Sequence, residues 1–225
     1  MIRVDQLAAG YGSQNLFSRL SFYAGPDNSP LVLVGRNGSG KSTLLRILAG
    51  FLPAGQGRVD NSFQKGEMAW LPQNYRVNLD IPVKDFVMMA CEKPGFWSVN
   101  RPPDAAERSL AALSNLGILH LAGRNCTELS GGEWQLTCLA QMLVQQAGLW
   151  LLDEPTASLD IGYKKAVFDL LWKEAASGKT IVFSTHDLPF LPAEKGSLLL
   201  IAENPELYPN NPAARQEIID RLMHR

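Results

Sequence analysis

Leu31-Val32-Leu33-Val34 runs directly into Gly35-Arg36-Asn37-Gly38-Ser39-Gly40-Lys41-Ser42, and Thr43-Leu44-Leu45-Arg46-Ile47-Leu48 follows. The apolar run, bounded by Pro30 and the glycines, reads as a fully buried central strand. Lys41 to Gly50 reads as a helix, with Leu44, Leu45 and Leu48 on one face and Gly50 as its stop. Strand, loop of the form Gly-x-x-x-x-Gly-Lys-Ser and helix, in that order, make a phosphate cradle. The glycines let backbone N–H groups turn inward around phosphates, Lys41 can reach the β and γ oxygens, and the Ser42 hydroxyl can ligate Mg²⁺. Thr43 falls in the first helical turn, whose N-terminus faces the anion. A glycine-rich turn capping an ordinary helix is the competing reading, and strand, Lys and Ser together count against it.

Alternation near Ile2-Val4 and Leu20-Phe22 predicts short antiparallel strands, with Gly10-Tyr11-Gly12 as a turn. Short strands are expected at Gly57-Asp60 and Gly66-Leu71, and a helical subdomain at about 74–147. Its clearest helices are Ala105-Leu116 and Gly132-Ala147. Strands return at Leu149-Asp153, Thr180-Ser184 and Ser197-Ala202, with a helix from about Tyr163 to Ala176 between the first two. Asn204-Pro212 reads as a linker to a final helix, so 204–225 is a C-terminal tail. The fold class expected is α/β: a P-loop NTPase core with a mostly parallel sheet, an antiparallel β subdomain and a helical subdomain, all in one domain spanning 1–225.

Leu149-Trp150-Leu151-Leu152 delivers Asp153 and Glu154 to a strand end, where ligands sit in open α/β sheets. Asp153 would orient the shell of a Mg²⁺ ion, and Glu154 would polarise an attacking water as general base. A lone Asp-Glu pair would sooner be two solvated carboxylates; the phosphate loop upstream reverses that preference. Between the two motifs lies Leu129-Ser130-Gly131-Gly132-Glu133. A Ser hydroxyl and two glycine N–H groups at a helix start form an anion site, and Glu133 in the first turn favours the helix. Alone, this pentapeptide would be read as a Ser N-cap with glycines in a loop.

Taken together, these residues resemble the nucleotide-binding subunit of an ATP-binding cassette (ABC) transporter over nearly the whole chain. The resemblance implies ATP and Mg²⁺ as cofactors, ATP hydrolysis, and two cassettes sharing two sites, each signature (Ser130, Gly131, Gly132) completing the partner's pocket. It assigns Tyr11 to stacking on adenine, Gln73 to Mg²⁺ and the attacking water, Asp160 to a link across the dimer, and His186 to the γ-phosphate. Without the ordered series, Tyr11 could be a turn aromatic, Gln73 a surface amide, Asp160 a helix N-cap and His186 a strand-end histidine. Leu136 and Gln141 stand where family members frequently carry arginine.

The resemblance further implies an integral membrane permease as partner, and through it an extracytoplasmic binding protein. The Pro72-Gln73, Glu133-Trp134 and Asp160-Ile161-Gly162 contexts look most like importers of iron chelates, haem or cobalamin. Phe86 and Val87 fit a subdomain core, whereas Phe96 and Trp97 beside Pro94-Gly95 fit a permease contact. A soluble ABC ATPase of macromolecular or iron-sulphur assembly is the alternative.

Composition agrees with this setting. The 225 residues carry 21 Lys+Arg against 22 Asp+Glu, a formal charge of -1, so no global positive field exists to hold nucleic acid. Cys91, Cys126 and Cys138 are odd in number and lack C-x-x-C spacing, against both a disulfide framework and a zinc site. The Met1-Ile2-Arg3-Val4-Asp5 start is not that of a signal peptide, and no run approaches the roughly 18 apolar residues of a membrane span. The expected place is cytoplasmic, peripheral on the inner face of the cell membrane.

Overall fold

A computed structural model describes residues 1–11, 14–64, 66–91, 102–192 and 195–223, the side chains of Tyr11 and Gln14 excepted. β1 (Ile2–Tyr11) pairs antiparallel with β2 (Gln14–Ala24), and its other edge pairs antiparallel with β4 (Gln56–Asn61). Between them in the chain come β3 (Leu31–Val34) and α1 (Lys41–Leu48). β5 (Met68–Leu71) leads into α2 (Val83–Met89), α3 (Ala105–Asn115) and α4 (Gly131–Gln145). β6 (Leu149–Asp153), α5 (Ile161–Ala176), β7 (Thr180–Ser184) and β8 (Ser197–Leu200) follow, then β9 (Glu206–Pro209) and α6 (Pro212–Met223).

The second sheet has the order β5-β6-β7-β3-β8-β9. Its first five strands are mutually parallel and only β9, at the edge, runs antiparallel. Both faces are covered, which explains the unbroken apolar runs. Leu31 and Leu33 of β3, with Leu149 and Leu151 of β6, face a core shared with α1 and the three-stranded sheet. Val32, Val34, Trp150 and Leu152 point the other way, into a core shared with α2 to α5. Phe86 and Val87 are buried in that second core, as expected.

Several boundaries differ from the sequence reading. β1 and β2 are far longer than the alternation suggested, because register shifts at Val4/Leu7 and Leu7/Ala9 break the period-two pattern. β1 continues through Tyr11, and Gly12 lies outside the described residues. The stretch taken as a linker holds β9, whose Leu207 is exposed on a strand with a free edge, so it carries little apolar patterning. Phe96 and Trp97 lie outside the described residues. Among those described, no helix is long and apolar enough to cross a membrane.

Candidate functional site

Because β5, β6, β7 and β3 are parallel neighbours, their carboxyl ends share one edge of the sheet. That edge gathers Gln73 after β5, Asp153 and Glu154 at the end of β6, His186 after β7, and the glycine loop after β3. A cleft of about 580 Å³ is lined by Leu16, residues 37–43, Gln73, Glu154 and His186.

In the loop, Gly40 has φ 104 and serves as N-cap of α1, and a Cβ there would come 3.0 Å from Phe17 Cε1. The left-handed backbone therefore calls for glycine, and any larger residue would also press on the Phe17 ring. The Lys41 side chain folds back over the loop, its Nζ donating to the carbonyl oxygens of Gly35 at 2.8 Å and Arg36 at 3.1 Å. Burial lowers the Lys41 pKa, partly opposed by the carboxylates of Glu154 and Asp153. A buried cation with a depressed pKa gains from an incoming anion. Ser39 Oγ is buried with no hydrogen-bond partner among the described residues, a cost that a phosphate oxygen would relieve.

Asp153 is 2% exposed, and its Oδ1 accepts a hydrogen bond from Ser184 Oγ at 2.6 Å. The same Ser184 hydroxyl accepts from the Glu154 backbone N–H at 2.9 Å, so β7 fixes both acids. Glu154 has φ 52, a left-handed conformation unusual for a residue with a side chain and of the kind found at functional sites. That turn aims its carboxylate across the cleft. Gln73 Nε2 donates to Glu154 Oε2 at 3.1 Å, His186 Nε2 stands 3.1 Å from Oε1, and Lys41 Nζ stands 3.3 Å from His186 Nε2. Four residues from four loops thus touch in sequence.

Among the described residues no three His, Cys, Asp or Glu side chains converge as a metal cage. Ser42, which lines the cleft, and buried Asp153, whose charge acts on Lys41, instead suit Mg²⁺, which takes one or two protein ligands and completes its shell with phosphates and water.

Ser130 begins α4 in a reciprocal capping box. Glu133 N–H donates to Ser130 Oγ at 3.3 Å, and Ser130 N–H donates to Glu133 Oε2 at 2.8 Å. The Ser130 backbone N–H foremost, and then the Ser130 side chain, hold the Glu133 carboxyl below its ordinary pKa, with Arg124 and His120 adding to the effect. A Cβ at Gly132 would lie 3.0 Å from the Ser158 carbonyl oxygen, so glycine permits the loop of residues 158–160 to approach α4. Asp160 caps α5 by accepting from Tyr163 N–H at 3.0 Å. Ser130, Gly131, Gly132 and Asp160 line a second cavity of about 550 Å³, which shares no lining residue with the phosphate cleft. Tyr11 ends β1, and its side chain lies outside what is described.

Sequence reasoning passed over the supports of these groups. Arg76 Nη2 donates to Leu129 O at 2.7 Å, and Trp134 Nε1 donates to Tyr75 O at 2.5 Å, tying the segment after Gln73 to both sides of the signature. Gln135 Nε2 donates to Pro155 O at 3.1 Å, joining α4 to the turn after Glu154. No spacing rule connects residues so far apart in the chain.

A family model described as ABC transporter matches residues 18–157. The chain is 36% identical to the manganese transport system ATP-binding protein of Synechocystis sp., over 83% of this chain and 75% of that relative. It is 31% identical to the zinc transport system ATP-binding protein of Treponema pallidum, over 83% of this chain and 73% of that relative. A solved structure of an ABC transporter of metal-chelate type, in an inward-facing conformation, covers 99% of this chain and 88% of that chain with TM-score 0.81 and 30% identity.

Proposed function

Since the chain belongs to the ABC transporter family and is an ATP-hydrolysing cassette of it, we propose that it powers import of a divalent transition-metal ion or its chelate. The observation that supports the catalytic part best is the contact series Gln73, Glu154, His186, Lys41 along the rim of the phosphate cleft. In this reading Lys41, Ser39 and the loop N–H groups hold the phosphates, and Ser42, Gln73 and Asp153 would hold Mg²⁺. Such an ion would supply charge neutralisation to the phosphates. Glu154 accepts a proton from the attacking water, Gln73 orients that water from one side, and His186 donates a hydrogen bond to the γ-phosphate from the other.

The separation of the two cavities supports pairing. A signature that lines no part of its own phosphate cleft can complete a site only in a second copy, so two cassettes close head to tail around two nucleotides. Asp160, beside the signature, stands where the partner's phosphate loop arrives. Tyr11 would meet the adenine. We read residues 74–147 as the subdomain that carries the signature and answers to a membrane permease, with the cassette on the cytoplasmic face and a binding protein delivering cargo on the other. The manganese and zinc relatives favour a divalent ion over haem or cobalamin.

Uptake of radioactive manganese and zinc by cells lacking this protein, complemented with wild type or Glu154→Gln, tests the cargo. Restoration by wild type alone is expected. Equal uptake in all strains, with no integral membrane protein co-purifying, would overturn the transporter reading.

A further inference from the structure

We infer that Lys164, Asp187 and Thr156 form a clamp that positions His186 against Glu154 for hydrolysis. Asp187 directly follows His186, and Thr156 lies two residues beyond Glu154. Thr156 Oγ1 donates to Asp187 Oδ2 at 2.8 Å, so a second strap runs beside the 3.1 Å contact between His186 and Glu154. Lys164 Nζ donates to the other oxygen, Asp187 Oδ1, at 2.7 Å. The Asp187 backbone N–H donates to Thr185 Oγ1 at 3.0 Å, closing the loop on its other side.

The His186 side chain is 42% exposed, so packing alone does not fix its ring. Its position follows from the backbone of residues 185–187, and that backbone is held through Asp187. Thr156 and Thr185 are each 1% exposed, which makes the anchor points rigid. Lys164 is rigid in turn: its N–H bonds to Asp160 O at 2.9 Å in the first turn of α5, and its ammonium lies 5.9 Å from the Phe190 ring centroid.

Stability gives no sufficient reason for this pair. Lys164 and Asp187 are each only 19% exposed, and an ion pair removed from water roughly breaks even against apolar substitutes. Two further effects are specific to the site. The clamp sets the distance between His186 and Glu154, and Lys164 neutralises a carboxylate that would otherwise repel the γ-phosphate beside His186. None of the three touches the reacting atoms in this arrangement; they are positioning residues.

The inference rests on the hydrolysis reading of the site, and the test separates the two. Steady-state ATP hydrolysis and equilibrium ATP binding are measured on the purified chain for wild type, Lys164→Met, Lys164→Arg, Thr156→Val and Thr156→Ser, with thermal melting as the check of folding. Lys164→Met and Thr156→Val should lower kcat roughly 10- to 100-fold, the loss typical of a misplaced catalytic group, with ATP affinity within about threefold of wild type. Lys164→Arg and Thr156→Ser should recover most of kcat. If Lys164→Met fails to fold, the Thr156 pair carries the same comparison. Wild-type kcat in the truncated variants, equal losses of kcat and affinity, or conservative variants no better than truncations would overturn the clamp. An inactive wild type would instead strike the hydrolysis reading itself.

Discussion

His186 Nε2 stands 3.1 Å from Glu154 Oε1, and the other oxygen of that carboxylate accepts from Gln73 Nε2 at 3.1 Å. Glu154 is therefore held between two polar side chains from separate loops, with its backbone in a left-handed turn that aims it there. In the proposed reading this carboxylate takes a proton from water ordered between itself and a phosphate. Glu154→Gln keeps the shape and removes the base, so kcat should fall roughly 10²- to 10⁴-fold, the span of general-base contributions. ATP binding should persist, and the variant should accumulate as a closed dimer with MgATP in size-exclusion chromatography. Hydrolysis at the wild-type rate would remove Glu154 from this role.

Ser130 has two duties that substitution can separate. Its Oγ accepts the Glu133 N–H as a helix cap, and in the proposed pairing its hydroxyl would meet a partner's phosphate. Ser130→Ala loses both, costing about 1 kcal/mol of stability as a lost cap and impairing hydrolysis, while ATP binding by the monomer stays intact. Ser130→Asp keeps a capping acceptor but sets a negative charge against the incoming phosphate. It should melt near the wild-type temperature yet fail to hydrolyse. Loss of ATP binding by the monomer in step with hydrolysis would contradict the assignment of Ser130 to the partner's site.

The parts of this arrangement visible in the sequence are those with short-range signatures. β3 and the glycine loop combine a run buried on both faces with φ-demanding glycines, and Ser130 with Glu133 spells a capping box within four residues. Gln73 and His186 came from the family resemblance, and the structure brings both to the same carboxylate. What stayed hidden depends on distant pairings. β1 and β2 lost their alternation to bulges, and β9 forms because β8 offers an edge rather than because its own residues favour a strand. Lys164 is one of several charged residues on α5 until the sheet order places Asp187 against it.

The link from Trp134 Nε1 to Tyr75 O, beside the packing of Trp134 on Phe86 at 4.9 Å between ring centroids, suggests a separable test of coupling. Trp134→Phe preserves much of the aromatic contact and removes the hydrogen bond. Stability should fall by about 1 kcal/mol, a melting shift of roughly 2–4 °C for a chain of this size. If the bond transmits the position of Gln73 to the signature, kcat should drop further than ATP affinity. A variant that melts early but turns over normally would restrict Trp134 to packing.

The C-terminal helix bears on the site as well, since Leu222 of α6 lines a cavity of about 440 Å³ together with Gly35, Arg36, Asn37 and His186. α6 is fastened to β9 by a fork in which Arg221 Nη1 and Nη2 meet Glu206 at 2.6 and 2.8 Å. The Arg221 guanidinium, aided by the Tyr208 hydroxyl, holds the Glu206 carboxyl down at about 2, against an ordinary 4.5. With the folded pKa below the unfolded one, the unfolded chain binds more protons in that interval. The contribution is complete above about pH 4.5 and is lost as pH falls toward 2. Because the two side chains are 36% and 46% exposed, solvent screening confines it to about 1 kcal/mol or less. Glu206→Gln should therefore melt below wild type at pH 7, and the gap should narrow steadily between pH 4.5 and 3. A gap that stays constant over that range would show that the charge on Glu206 does not fasten α6, which is also held by Arg215 donating to Leu191 O at 2.7 Å and by the buried Ile218.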